Sequence, residues 1–296
     1  MALNHNSEFL QCFWDLASPD SILRLNASKS LLLHLKNSNR DTTEYALSRL
    51  VRGLASSRES ARQGFATTLC EVLRLDTGSL YVKAMELLDS TSMVTNSLKG
   101  NEERDFIFAK LFGYIALMKT DRLLSIYINE DVLALDILQR ILKLQMMKGW
   151  LREVIAEVLL EFFQLLCHAL ITSPDDVIKK NSNILMICLE KICPLMSDSL
   201  SDMSAWQIML QIGFQNLAAT NDIFKESFKE YSGMILHENT ISLTRLDDIS
   251  ATLLAATSGF PKVHRVWDYL LSLVFPFNDE RQLLNSRCEG FKRAQE

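Results

Sequence analysis

Apolar residues recur at helical spacing from one end of this chain to the other. Leu47, Leu50, Val51 and Leu54 fall at i, i+3, i+4 and i+7, which places them on one face of a helix. Phe108, Leu111, Phe112 and Ile115 repeat the step, and Leu151, Val154, Ile155, Val158, Leu159, Phe162 and Leu166 carry it further. No sustained alternation of period two, bounded by turn residues, interrupts the pattern. The 296 residues hold only 10 glycines and 5 prolines, too few for a sandwich or barrel that turns every ~8–12 residues. An all-α fold is expected.

Capping chemistry places the helix ends. Ser18-Pro19-Asp20 offers an N-cap oxygen followed by a proline in the first turn, and Ser173-Pro174-Asp175 repeats it. Ser56 and Glu59 have the spacing of a capping box. Helices are expected at 7–16, 20–37, 42–55, 58–75, 79–89, 102–119, 130–147, 150–171, 175–194, 204–217, 221–236, 244–257 and 263–275. Short polar links join them, and successive pairs keep roughly the 40–47-residue step of armadillo and HEAT units. The expectation is an α-solenoid of armadillo/HEAT-like stacked helical hairpins, a single domain over 1–296 with a soft boundary near 197–204. Leu98–Glu103 is a second soft place.

Composition narrows the function classes. Residues 1–150 carry 18 basic and 17 acidic groups, and residues 151–296 carry 13 and 19, for a net charge of −5. Neither half has the basic surplus on which non-specific nucleic-acid binding rests. The six cysteines lie at irregular gaps with no C-x-x-C, as expected for core thiols in a reducing compartment. The N-terminus lacks the basic start and apolar core of a secretory signal. Met203 to Asn221, the longest uncharged run, holds Gln207, Gln211, Gln215 and Asn216, too polar to span a bilayer. A soluble intracellular protein, with no membrane partner, is expected.

Reaction chemistry is sparse. His5, His34, His168, His237 and His264 form no H-x-x-x-H or H-E-x-x-H, and Cys188 and Cys193 diverge on a helix. No G-x-S-x-G presents a nucleophile. Gly64, Gly113 and Gly213 stand alone in helical patterns, where they serve close helix packing. Asp175-Asp176, Asp247-Asp248 and Glu102-Glu103 each fall in a first helical turn, where carboxylates meet the positive end of the dipole. No catalytic residue, metal ligand, cofactor or small-molecule substrate is assigned.

Arg49, Arg52, Arg58 and Arg62 cluster around one helix-to-helix turn, with Glu59 between them. They are the candidate partner-binding residues. Two readings stand: guanidiniums at a hairpin tip can meet phosphate or an acidic partner, or they can pair with Asp41, Glu44 and Glu71 of neighbouring helices. Phe13-Trp14, Trp150, Trp206 and Trp267 lie on apolar faces and are expected in the core, with His264 satisfied beside a buried Trp267.

Five segments taken together carry a family resemblance. They are Phe13–Ala17 (FWDLA), Tyr45–Phe65 (YALSRLVRGLASSRESARQGF), Arg104–Gly113, Trp150–Glu153 (WLRE) and Pro261–Asp268 (PKVHRVWD). In this order they resemble the DNA polymerase phi/Myb-binding protein family. The resemblance implies a nuclear, nucleolar protein with a helical-repeat body. Its implied partners are transcription or ribosome-assembly factors, and its implied work is ribosomal-RNA gene transcription and ribosome biogenesis. Family members continue into an acidic stretch and a lysine-rich tail, so a shortened form with weak rDNA contact is expected here. Asp76–Tyr81 (DTGSLY) echoes polymerase strings, but Gly78 replaces the second aspartate and no second carboxylate motif follows. The expected function is therefore a non-enzymatic nucleolar scaffold; a polymerase-like DNA-binding enzyme and a cytoplasmic helical-repeat adaptor are the alternatives.

Overall fold

The computed structural model describes residues 7–75, 80–91, 100–128, 131–174, 183–196, 200–235, 246–257 and 264–274. Its first helices start where a short polar side chain can satisfy free amides. Asp20 accepts from the Ile22 and Leu23 amides at 2.8 and 3.4 Å, and Asn39 Oδ1 accepts from the Thr42 amide at 2.9 Å. The helices are α1 (Ser7–Asp15), α2 (Ser21–Lys36), α3 (Arg40–Gly53), α4 (Glu59–Leu75), α5 (Leu80–Thr91), α6 (Gly100–Met118) and α7 (Leu133–Met147). They continue with α8 (Arg152–Thr172), α9 (Ile184–Ile192), α10 (Ala205–Thr220), α11 (Asp222–Ile235), α12 (Leu246–Thr257) and α13 (Val266–Val274). The expected helix positions agree with these to within a few residues wherever the chain is described.

Two expected caps differ. The cap of α2 is Asp20, so Pro19 lies outside the helix, and Ser18 Oγ accepts from the Asp20 amide at 3.1 Å. Ser56 serves the Arg58 amide at 3.3 Å, while Glu59 accepts from Gln63 at 3.1 Å. Helix α4 starts at Glu59, two residues too late for Ser56 and Glu59 to form the box. The start of the helix expected after Ser173-Pro174 and the 197–199 part of the soft boundary lie outside the described residues.

A two-stranded antiparallel pair, β1 (Ile126–Ile128) with β2 (Asp131–Val132), precedes α7. Ile-Tyr-Ile suits an extended chain, yet runs of three and two residues are too short to show as a period. The segment leading into this pair caps the next helix. Val132 has no side-chain oxygen to offer α7, and the Leu133 and Ala134 amides donate instead to the Ser125 and Leu123 carbonyls at 3.0 and 2.9 Å.

The described contacts divide the chain into two compact units. The first holds residues 1–149 and 161–184, and the second holds 150–160 and 185–296. In the first, α1 packs on α2, α2 on α4, α3 on α4 and α5, α4 and α5 on α6, and α6 on α7. In the second, α10 is surrounded by α11, α12, α13 and the 3₁₀ turn Cys193–Met196. It is buried on nearly every side from Ala205 to Phe214, as an apolar helix at the centre of a core should be. Phe214, Phe224 and Phe228 pack there with ring centroids 5.3 to 5.7 Å apart. Gln207 and Gln211, the polar residues of this run, donate to the Leu195 and Met196 carbonyls at 2.7 and 3.1 Å. These are the end carbonyls of the 3₁₀ turn, so the buried amides satisfy backbone that the core would otherwise orphan.

Gly149–Thr172 is long and apolar enough to cross a membrane by length and composition, but 56% of its most apolar window is buried inside the fold. Ile155, Leu159, Phe162, Phe163, Leu166 and Cys167 are fully enclosed. It is a core helix.

Candidate docking site at the α3–α4 turn

The α3–α4 turn sorts its four arginines into inner and outer pairs. Arg62 lies on the buried side of α4 and is 7% exposed. Its Nη1 donates to the Ser56 carbonyl at 2.7 Å and lies 3.9 Å from Asp105 Oδ1, and its guanidinium carbon sits 4.7 Å from the Phe108 ring centroid and 5.8 Å from that of Phe112. Burial pulls this guanidinium below its ordinary range, Asp105 and Glu59 pull it back, and Arg104 adds to the depression. Arg49 is half-buried between Phe13 and Tyr45, with centroid distances of 5.1 and 5.9 Å, and donates to the Tyr45 hydroxyl at 3.2 Å. Arg52 and Arg58 are exposed.

The carboxylate partners also differ from those weighed in the sequence. Glu44 pairs with Arg40 at 2.9 Å and Glu71 with Arg74 at 2.6 Å. The carboxylate that reaches the arginine cluster is Asp105, across on α6.

Close backbone approach holds the same turn. A Cβ on Gly64 would sit 2.1 Å from the Leu16 carbonyl oxygen, and one on Gly53 would sit 2.5 Å from the Phe65 ring. Gly113 and Gly213 face the Leu88 and Leu160 side chains in the same way. Close packing is thus what Gly64, Gly113 and Gly213 serve.

The second unit has a seam of its own. Glu153, at the start of α8, is bonded to the His264 ring through Nδ1 and accepts from the Arg265 amide at 2.7 Å, while Arg265 pairs with Glu157. Replacing Glu153 by alanine removes the acceptor that holds the entry to α13. It should cost about 2–3 kcal/mol, in the range for losing the partner of largely buried charged and polar groups. Hydrogen exchange checks this: amides across Val266–Val274 lose protection, and unchanged protection there would show that the seam is not holding the helix.

The aromatic expectations divide. Trp206 is buried, Trp267 is half-buried, and Trp14 and Trp150 are 72% and 48% exposed. Trp14 follows Phe9, Cys12 and Phe13, which take the inner face of α1 between them.

Cys12, Cys70, Cys167, Cys188 and Cys193 are buried free thiols. Burial pushes Cys167, Cys188 and Cys193 up to about 12. Because the folded chain holds these protons more tightly, their contribution to stability is whole below about pH 8.5, where unfolded thiols begin to ionise, and falls as pH climbs toward 12. Iodoacetamide at pH 8 should label these three about a thousandfold more slowly in the native chain than in urea; comparable rates would contradict their enclosure. Among the described residues, no three His, Cys, Asp or Glu side chains converge as metal ligands. Glu102-Glu103 and Asp247-Asp248 sit in first helical turns, while Asp76–Ser79 and Asp175-Asp176 lie outside the described residues.

A family model described as DNA polymerase phi matches residues 45–293. The chain belongs to the DNA polymerase phi family. It is 36% identical to a Myb-binding protein 1A-like protein of Danio rerio over 124 residues, 41% of this chain and 10% of that protein. It is 28% identical to the rDNA transcriptional regulator pol5 of Schizosaccharomyces pombe over 240 residues, 76% of this chain and 24% of that one. Myb-binding protein 1A of Homo sapiens is 34% identical over 128 residues, 42% of this chain and 9% of that protein. The chain thus spans about a tenth to a quarter of the length of these relatives. No solved structure matches it.

Within this DNA polymerase phi family member, the segments that carry the resemblance meet within each unit. Phe13 reaches Tyr45 and Arg49, and Arg62 reaches Asp105, Phe108 and Phe112. Glu153 reaches His264 and Arg265. The first three segments form one seam in the first unit and the last two form another in the second. These contacts are packing contacts, while Trp14, Arg52, Arg58 and Trp150 of the same segments stay exposed.

Proposed function

We propose that this chain is a non-enzymatic nucleolar scaffold whose armadillo/HEAT-like stacked hairpins bind nuclear proteins in support of ribosomal-RNA gene transcription and ribosome biogenesis. The observation that carries the reading is the fate of the chemistry-bearing residues in the family segments. Arg49, Arg62, Asp105, Glu153 and His264 are spent on neighbouring helices, which suits a scaffold rather than a reaction centre. Relatives named rDNA transcriptional regulator and Myb-binding protein 1A support the nuclear and transcriptional part. Stacked hairpins accord with the first unit, where helices pack mainly on those one and two further along the chain. Arg52 and Arg58 are the docking residues that remain at the arginine turn, and a net charge of −5 leaves protein, ahead of rDNA, as the favoured partner.

The test is capture of partners from nuclear extract by the 296-residue chain, with and without nuclease, read by mass spectrometry. Nuclease-resistant recovery of ribosomal-RNA-gene transcription or ribosome-assembly proteins is expected. Recovery that vanishes with nuclease would transfer the function to nucleic-acid binding. Magnesium-dependent nucleotide incorporation, lost in Asp76→Ala, would replace the scaffold with an enzyme. A purely cytoplasmic distribution of the untagged chain in cells would leave only an adaptor outside the nucleus.

A further inference from the structure

Arg24, on α2, is held in place without being neutralised. Its Nη1 donates to the Ser18 and Pro19 carbonyls at 2.9 and 2.8 Å, and its Nη2 stands 3.5 Å from Gln63 Oε1. Arg40, Arg62, Arg74 and Arg140 each have a carboxylate within 4 Å, whereas Arg24 has none among the described residues. Asp20, one turn before it, accepts from the Ile22 and Leu23 amides, and Glu59 accepts from the Gln63 side chain. A guanidinium carries five N–H groups. The Nε–H and one Nη2–H of Arg24 therefore remain, with no bond to the described residues.

Arg24 lines a cavity of about 320 Å³ between α2 and α4, a size at which small-ligand clefts begin. Ser21, Leu25 and Ser28 share the α2 wall with it, and Gln63, Gly64 and Thr67 form the α4 wall. Gly64 lets the Arg24 stem lie against α4, since a Cβ there would sit 3.0 Å from Arg24 Cδ. Ser28 is 6% exposed, and its hydroxyl bonds to none of the described residues. A hydroxyl inside a helix commonly returns to the carbonyl one turn back, as Thr68 does to Gly64 at 2.8 Å. Ser28 does not, which leaves its hydroxyl to the cavity. The lining is thus one guanidinium, three hydroxyls and an amide beside one leucine, with no carboxylate. The larger cavity on the other flank of α2 has Glu8 and Asp15 in its wall and is unsuited to an anion.

We propose that the cavity between α2 and α4 binds a phosphate monoester. Arg24 supplies the charge and two N–H donors, already fixed by the Ser18 and Pro19 carbonyls. Ser21 and Ser28 offer hydroxyls from one helix, and Thr67 offers one from the other. A tetrahedral dianion with three free oxygens can meet donors from both walls, whereas a carboxylate has two oxygens in one plane. The ester is carried either by a small molecule or by a phosphorylated side chain. The chemistry of the cavity is the same for both, and it stands whether or not the chain is a nucleolar scaffold.

The experiment is isothermal titration of the full chain at about pH 7.5, where a phosphate monoester is a dianion, at constant ionic strength. The probes are acetyl-O-phosphoserine amide, glycerol 3-phosphate and, as the carboxylate twin, acetyl-aspartate amide. Both phosphates should bind about tenfold tighter than the aspartate. Arg24→Gln should remove that advantage. Ser28→Ala should weaken both phosphates about fivefold with the melting temperature unchanged, because the hydroxyl holds nothing in the empty cavity. Should Arg24→Gln lose its fold, Gln63→Glu decides: the position is exposed, and a carboxylate there should abolish phosphate binding in a folded chain. Tighter binding of the phosphoserine supports a phosphorylated protein as the source, and glycerol phosphate binding as well or better supports a small molecule. Equal affinity for phosphate and aspartate overturns the proposal. So does an absence of phosphate binding, or binding that Gln63→Glu leaves unchanged.

Discussion

Gly64→Val is expected to destabilise the first unit by about 3 kcal/mol or more, the upper range for forcing extra volume into a closed core. In an exposed helix interior, replacing glycine by a residue with a Cβ is usually favourable, by roughly 0.5–1 kcal/mol for alanine. Here the sign reverses because the first atom added would lie 2.1 Å from the Leu16 carbonyl oxygen. Backbone cannot swing aside as the end of a side chain can. The chain leaving α1 and the helix α4 would have to separate, opening the Phe13, Tyr45 and Arg49 cluster beside them. For a unit of this size, such a loss lowers the melting temperature by about 6–12 °C. Gly100→Ala is the control, since nothing lies within 4 Å of its added carbon. It should leave the melting temperature unchanged or slightly raised, and equal effects at the two positions would refute the close approach.

The second large effect separates the four arginines. Arg62→Gln should cost about 1–3 kcal/mol, the range for leaving buried polar groups without their partner. The side chains of Arg62 and Asp105 are 9% and 17% exposed, and Asp105 would keep its charge with Arg104, 3.9 Å from the same oxygen, beside it. The contact of the guanidinium with the Phe108 ring and the bond to the Ser56 carbonyl go with it. Arg62→Lys should recover only part, because an ammonium cannot both stack on the ring and reach Ser56. Arg52→Gln and Arg58→Gln, by contrast, should stay within about 0.5 kcal/mol of the parent, as exposed substitutions do. If they act at all, they should act on partner capture. Thermal melts of the four single variants read this directly, and a uniform set of melting temperatures would contradict the division.

The division at the turn also shows what a sequence can and cannot disclose. Periodicity identified α3 and its apolar face, because Leu47, Leu50, Val51 and Leu54 repeat at the helical step. It could not say that Arg62 belongs to the inner face, since that depends on Asp105 and Phe108 arriving from α6, more than forty residues away. Trp14 failed in the opposite direction: on a nine-residue helix, Phe9, Cys12 and Phe13 already fill the side facing α2. Glycine was read more reliably, because a lone glycine inside a helical pattern has few reasons to be there other than proximity.

In this reading, the segments that carry the family resemblance are packing seams, and the working surface is what those seams leave exposed, Arg52 and Arg58 included. Hydrogen exchange of the whole chain in the parent and in Arg62→Gln tests it most directly. Amides in 45–53, 59–65 and 104–113 should be protected together in the parent and lose protection together in the variant, as one cooperative block. Loss confined to the residues around 62, with 104–113 still protected, would contradict it.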